Sequence, residues 1–453
     1  MQVPLNGKIK HCVLVASIAA IFSGATVPAL ADMERLIETL HEKGVLSDEE
    51  YEEMSTEARA EREEQEAANA EIIESVGTRG RYKEGFAWDS SDGEESIQIA
   101  GRIQFDYRDF DNNATANTFD IRRAYLGIKG RLNNWTYELT QDFANSRLEY
   151  AFLDYKFSDS LRMRGGAFKF AFGFEQLTSS RFTDFQERSL VNAWVPGKDI
   201  GAMVYGAPSG NKVWSYGLGV ANGEGKNTND NDAAVDEKDV IGRVAVNFAP
   251  LMKWQNGVLH TGFNYSNGII PNASPGHNRT EGRGQTFFTA TAPVSGSEMD
   301  RTRTAFEGVA AFGPVKLQTE FLTANFKADG GYNRDVNVSY VAANWLITGE
   351  RYVSNYTTGG MRRIRPNSSV RSGGKGAWEL GVRFSRLDAG DYQNTPTSTS
   401  KADAVTIGLK WIPDPLVRII FNYVDTSYST PILADGVPVH GEKALNLRAQ
   451  LDF

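Results

Sequence analysis

The chain has 453 residues, a formal net charge of −9, 11% aromatic residues and a single cysteine, Cys12. Cys12 falls in a segment with the pattern of a cleaved leader, so the mature chain holds no thiol; disulfides, thiol catalysis and thiolate metal sites are excluded. Outside that leader no stretch is apolar for the ~20 residues a membrane helix needs.

In the leader, Lys8, Lys10 and His11 form a basic region, Val13 to Phe22 a short apolar core and Ala29-Leu30-Ala31 a small-residue cleavage site. Residues 1–31 are therefore expected to be a signal peptide. Residues 32–76 carry 16 acidic residues against Arg35, Lys43, Arg59 and Arg62, with no proline and one glycine, Gly44. They are expected to be helical, restarting at Ser47-Asp48-Glu49-Glu50, a capping box. Tyr51, Met54, Ala58, Glu61, Gln65, Ala68 and Ile72 give only a weak heptad seam. A coiled coil and a solvated acidic arm are both compatible with it. Residues 77–95 are expected to be a linker. Since the acidity sits in this arm and the rest is near neutral, the global charge identifies no partner.

From residue 96 the hydrophobic period becomes two. Ile97, Ile99, Ile103, Phe105 and Tyr107 alternate with Gln98, Arg102, Gln104, Asp106 and Arg108. The same pattern recurs in Trp378, Leu380, Val382 and Phe384 against Glu379, Arg383 and Ser385. It ends in Leu445, Leu447, Leu451 and Phe453 against Asn446, Arg448, Gln450 and Asp452. Strict alternation describes strands with one apolar and one wet face. Sixteen such segments are expected, beginning near residues 96, 119, 134, 148, 160, 199, 212, 239, 257, 301, 315, 335, 377, 402, 416 and 443. A soluble sandwich also alternates, but here Trp135, Tyr155, Trp214, Tyr265, Trp411 and Tyr423 recur near strand ends, which suits girdles at two bilayer interfaces. The expected fold is all-β: a 16-stranded antiparallel transmembrane barrel over 96–453, in a bacterial outer membrane, contacting its lipid. Short and long connections mostly alternate, although the one at 347–376 is long where parity requires a short periplasmic turn.

In a membrane barrel, Arg or Lys facing lipid at the midplane costs roughly 2–4 kcal/mol. The alternation therefore sends Arg102, Arg123, Lys129, Arg162, Arg164, Arg243, Lys316, Arg383, Lys410, Arg418 and Arg448 into the lumen, and gives Arg122 the outward phase. Inward acids are Asp106, Glu138, Asp142, Asp154, Glu320 and Glu379. Residues 170–198 are too long and too apolar for an exposed hairpin loop, and are expected to fold into the barrel as a constriction. Ser179, Ser180, Arg181 and Arg188 would then face the opening, offering hydroxyls and guanidinium forks to a dehydrated oxyanion. Pairing of Arg181 and Arg188 with Asp184 and Glu187 inside the loop is the competing reading. The basic stretch 347–376 (Arg351, Arg362, Arg363, Arg365, Arg371 and Lys375) fits either an extension of an anion path or a solvated loop.

Several ordered motifs together resemble the phosphate-selective porins O and P. They are Asp120-Ile121-Arg122-Arg123-Ala124-Tyr125-Leu126-Gly127, Leu177-Thr178-Ser179-Ser180-Arg181-Phe182, Glu187-Arg188-Ser189-Leu190, Leu346-Ile347-Thr348-Gly349-Glu350, Gly376-Ala377-Trp378-Glu379-Leu380 and Asn422-Tyr423-Val424. The resemblance spans about residues 95–453. It implies a homotrimer of 16-stranded barrels, an inward third loop and a ladder of basic residues leading anions, phosphate or related oxyanions, to a constriction. Carried over, that constriction would use Arg123, Ser179, Ser180 and Arg188, with Asp154 as the acidic member. Arg102, Arg162, Arg164, Arg181, Arg243, Arg383 and Arg418 would line the path. A lysine-rich portion of the path is not evident. A mixed-selectivity porin for small hydrophilic solutes remains the alternative, and a tether acting through the acidic helix is a third class. An enzyme is disfavoured: His260 is the one histidine in an expected strand, with no Ser or carboxylate evident beside it. No cofactor, metal or nucleic-acid partner is expected.

Overall fold

The computed structural model describes residues 40–43, 46–52, 54–56, 59, 60, 78–82, 84–112, 114–208, 210, 212–223, 225, 237–270, 275–292 and 298–453. The expected signal peptide (1–31) lies outside the described residues, as does most of the expected helical arm. Within the arm, the capping box closes: the Ser47 amide donates to Glu50 Oε2 at 2.9 Å and the Glu50 amide to Ser47 Oγ at 3.3 Å. The stretch expected as a linker holds two short strands, Thr78–Tyr82 and Phe86–Ser90, with Arg81 paired to Asp89. It has regular structure because its Gly-Arg-Tyr and Phe-Ala-Trp runs alternate like the strands that follow.

Among the described residues, sixteen strands form a closed antiparallel barrel. They are β1 (Glu95–Phe110), β2 (Thr118–Leu132), β3 (Trp135–Asp142), β4 (Arg147–Lys156), β5 (Arg162–Lys169), β6 (Lys198–Gly206), β7 (Trp214–Ala221) and β8 (Asp239–Asn247), then β9 (Gly257–Ile270), β10 (Met299–Phe312), β11 (Val315–Ala328), β12 (Tyr332–Leu346), β13 (Ala377–Asp388), β14 (Lys401–Asp414), β15 (Val417–Ala434) and β16 (Val437–Asp452). Closure is made where β16 pairs with β1, from Ala444 opposite Phe110 to Asp452 opposite Arg102.

The distribution of exposure separates this barrel from a sandwich. Along β1, Ile103 and Phe105 are 44% and 43% exposed, whereas Arg102, Gln104, Asp106 and Arg108 are at most 3% exposed. The same inversion runs down β16, where Leu445, Leu447 and Leu451 face out and Asn446, Arg448 and Gln450 face in. Apolar side chains outside and polar side chains inside fit a lipid solvent and a wet lumen. At the end bearing the short turns, Trp378 stacks on Trp411 with ring centroids 5.5 Å apart, and Trp135 meets Tyr155 edge-on at 4.8 Å. These rings suit the amphipathic interface. No described helix is long and apolar enough to cross a membrane.

Two connections fold into the lumen from opposite ends. Residues 170–197 enter from the end bearing the longer loops. Residues 347–376 enter from the other end, bury Tyr352 and Tyr356 to 1% exposure, and bond back to the turn at Gly313. The parity anomaly in the sequence is therefore resolved by an inward turn.

Candidate constriction and anion path

The loop 170–197 is held inside by its own phenylalanines and by the wall opposite its root. Phe168, Phe170, Phe172 and Phe174 are fully buried. Gly173 adopts φ +70°, a left-handed conformation that glycine takes at little cost, and so turns the chain into the short helix Phe174–Leu177. Backbone amides of the loop then find acceptors on distant strands. Gly173 donates to Asn264 of β9 at 2.9 Å, Glu175 to Glu320 of β11 at 2.6 Å and Gln186 to Asn422 of β15 at 2.7 Å. Buried amides left without partners would each cost free energy, so these polar wall residues are what permits a loop at this depth.

Most of the far-wall bases serve the same purpose. Arg418 donates to the carbonyls of Arg181 and Thr183. Lys316 holds Asp184 at 2.6 Å, and Lys410 pairs with Glu379 at 2.8 Å. Arg383 donates to the Glu187 carbonyl at 3.1 Å and to Glu281 at 2.6 Å, and Arg243 holds Glu307 and the Thr358 carbonyl. Arg243, Arg383 and Arg418 do point inward, as their phase requires, but they do not line the open cavity. Their guanidiniums are occupied in anchoring loops.

The opening that remains is a cavity of about 1240 Å³. Arg102, Arg123, Arg164, Ser179, Ser180, Arg181 and Arg188 all line it. Arg102 Nη1 donates to Ser180 Oγ at 3.0 Å and Arg123 Nη1 to Gln104 Oε1 at 2.7 Å. The Nε–H groups of both arginines are buried without an acceptor among the described residues. Arg188 spans two loop carbonyls, Glu175 at 3.0 Å and Thr178 at 2.8 Å, rather than pairing with a loop carboxylate. Arg181 lies 3.9 Å from Asp452, so the intraloop pairing with Asp184 and Glu187 does not form.

Asp154 stands apart from this group. It is fully buried between Arg162 (2.5 Å), Arg164 (2.9 Å) and the Tyr205 hydroxyl. Register places it opposite Thr136, which faces Arg131 of β2, far along that strand from Arg123. Asp154 and Arg162 do not line the cavity. The carboxylate that meets the central arginines is Glu187. It accepts from Arg448 at 2.8 Å, Arg122 at 3.0 Å and Arg108 at 3.1 Å, with Arg283 at 3.9 Å. Burial would raise its pKa, but Arg122, Arg448, Arg283 and Arg108 outweigh that and hold it well below the usual range. Arg122 corrects the phase argument. Ile121 faces out and Leu126 faces out, yet Arg122 and Arg123 both point inward. The alternation slips by one residue between them.

Three further lysines line the cavity: Lys129, Lys169 and Lys198. Lys169 of β5 and Lys198 of β6 are register partners at the two feet of the loop. Counted over the described residues, the lining holds twelve arginines and three lysines against seven carboxylates, so its field attracts anions.

The sequence pattern of the family described as "Phosphate-selective porin O and P" matches residues 97–453. The chain belongs to this family. One relative, Porin O of Pseudomonas aeruginosa, is 26% identical over 391 residues, covering 76% of this chain and 86% of the relative. Among solved structures, the anion-selective porin from Comamonas acidovorans shares the fold with TM-score 0.52 and 15% identity, covering 80% of this chain and all of that one. A trimer form of OmpT from Vibrio cholerae aligns with TM-score 0.50 and 10% identity, over 79% of this chain and 99% of that one.

As a member of this porin family, the chain is an outer-membrane channel and not an enzyme. The setting of His260, in β9, fits that role. His260 bonds Glu307 at 2.9 Å and the Tyr356 hydroxyl at 2.7 Å, so a carboxylate does stand beside it. The pair fixes the inward turn 347–376. Among the described residues no cluster suited to a metal ion occurs.

Proposed function

We propose that this porin conducts anions, with phosphate-like oxyanions preferred, through the cavity bounded by Arg102, Arg123, Ser179, Ser180 and Arg188. The observation that carries this reading is the convergence of guanidinium, ammonium and hydroxyl donors on one opening with a surplus of bases over acids. An oxyanion that sheds water on entry needs several fixed donors in its place. Arg102 and Arg123 supply charge at the wall, while Ser179 and Ser180 present hydroxyls from the loop.

The family description supports this solute class. A homotrimer is proposed with it. The trimeric form of the OmpT fold supports it, as does the low wall of β3, β5 and β7, each eight residues long where β15 elsewhere in the barrel has 18. Such a low wall suits packing against another barrel. A mixed-selectivity porin is the second reading, favoured by carboxylates such as Glu138 and Glu149 in the lining.

The deciding experiment is the reversal potential of single channels in a planar bilayer under a potassium chloride gradient, repeated with added phosphate. An anion-signed potential with chloride current blocked by phosphate is expected. A cation-signed or near-zero potential would sink anion selectivity and leave the second reading.

A further inference from the structure

Glu187 lies on the constriction loop, lines the cavity and has a side chain 12% exposed. Three strands reach it at once. Arg108 comes from β1, Arg122 from β2 and Arg448 from β16, so the carboxylate sits at the seam where the barrel closes. A fourth guanidinium, Arg283, comes from the hairpin Gly276–Arg279 and Thr286–Ala290. A second carboxylate, Asp106, shares Arg108 and Arg448 but is fully buried. Glu187 is thus the acid of this cluster that meets the open cavity.

We infer that Glu187 is a resident counter-anion of the central arginine cluster, and that it sets how long a permeating oxyanion stays there. This rests on the anion-channel reading above, which the wild-type reversal potential tests by itself.

The reasoning is competitive. Conduction needs a site attractive enough to be entered and weak enough to be left. Arg122 and Arg283, which line the cavity, together with Arg108 and Arg448, buried against Glu187, would without that carboxylate hold a multiply charged oxyanion with several charge-assisted bonds and release it slowly. A tethered carboxylate already satisfies those forks. An arriving anion shares them, and when it leaves the carboxylate restores the bonds without waiting for bulk ions. Glu187 therefore lowers affinity and raises turnover, although a negative charge in an anion path looks counterproductive. The alternative role is mechanical. Glu187 would only staple the loop to the β16–β1 seam, and losing it would widen the pore.

The two roles move the readouts in opposite directions. In the full-length protein reconstituted in planar bilayers, E187Q keeps the side chain's size and removes its charge. The expected result is a half-blocking inorganic phosphate concentration lower by about tenfold, the equivalent of one net charge-assisted bond, with longer blocked dwell times. E187D withdraws the carboxylate by one methylene and should tighten block in the same direction by a smaller factor. It carries the test if E187Q fails to assemble into a heat-modifiable barrel. Unchanged block in both variants, or weaker block with raised conductance, overturns the inference.

Discussion

The Met361 amide, on the inward turn from one end of the barrel, donates to Thr178 Oγ1, on the constriction loop from the other end, at 3.0 Å. Beside it Gly360 has φ +120°, and a Cβ there would stand 2.8 Å from the Thr178 backbone nitrogen. The two loops therefore touch through a contact that only glycine permits. Gly360→Val should part them. It would strain the turn and break a hydrogen bond worth about 1 kcal/mol net. We expect raised single-channel conductance with weaker phosphate block and unchanged heat-modifiability of the barrel, since no pairing between barrel strands is touched. Wild-type conductance in Gly360→Val would show that the loops do not set the aperture together.

Arg123 contributes differently from Arg188. Arg123 bonds one side chain, Gln104, and has an unpartnered Nε–H. Arg188 braces two carbonyls within the loop. Arg123→Ala should weaken phosphate block by tenfold or more, as expected for a lost charge-assisted bond of about 1.5–3 kcal/mol, with conductance in chloride nearly constant. Arg188→Ala should weaken block and also raise conductance, because the loop loses its brace. Measuring both quantities in both variants tests the assignment; equal behaviour would refute it.

How much of this was legible in the sequence follows from what alternation encodes. A period of two states which face of a strand a residue occupies, so the sixteen strands and the inward phase of Arg102, Arg383 and Arg448 were readable. It does not state what an inward side chain meets. That Arg418 and Arg383 are spent on loop carbonyls, or that Asp154 is enclosed by Arg162 and Arg164, depends on where residues 170–197 settle across the barrel. Arg122 was assigned the wrong face because one slipped residue inverts the phase. Lys169 and Lys198 escaped because they sit at strand ends, where a two-residue pattern has no flank. The apolar run from Phe168 to Phe174 was the one local signal that the loop turned inward.

Asp154 separates structural from conductive acids. Asp154→Asn should leave reversal potential and phosphate block unchanged, because the residue does not line the cavity. It should nevertheless destabilise the barrel. Breaking a buried pair costs on the order of 3–5 kcal/mol, and both Arg162 and Arg164 lose their carboxylate partner. The check is the temperature at which the barrel unfolds in detergent, read by the shift in gel mobility. A change in selectivity without loss of stability would return Asp154 to the constriction.

Lys169 and Lys198 face each other directly across β5 and β6, a placement that ordinarily destabilises a sheet. Lys198 is relieved by Glu149 and lies 4.2 Å over the Tyr150 ring. Among the described residues, Lys169 has only the Gln176 carbonyl, at 2.7 Å. An anion in the cavity would therefore gain more from Lys169 than from Lys198. Lys169→Gln should weaken phosphate block by about tenfold, in line with a charge-assisted bond, while Lys198→Gln should have a smaller effect because Glu149 already neutralises it. The double variant should show coupling, since the ammonium groups share one field. Barrel stability in Lys169→Gln should hold or rise, as a like-charge pair is removed. Equal losses of block in the two single variants would place the anion midway between the strands and show that Glu149 does not screen Lys198.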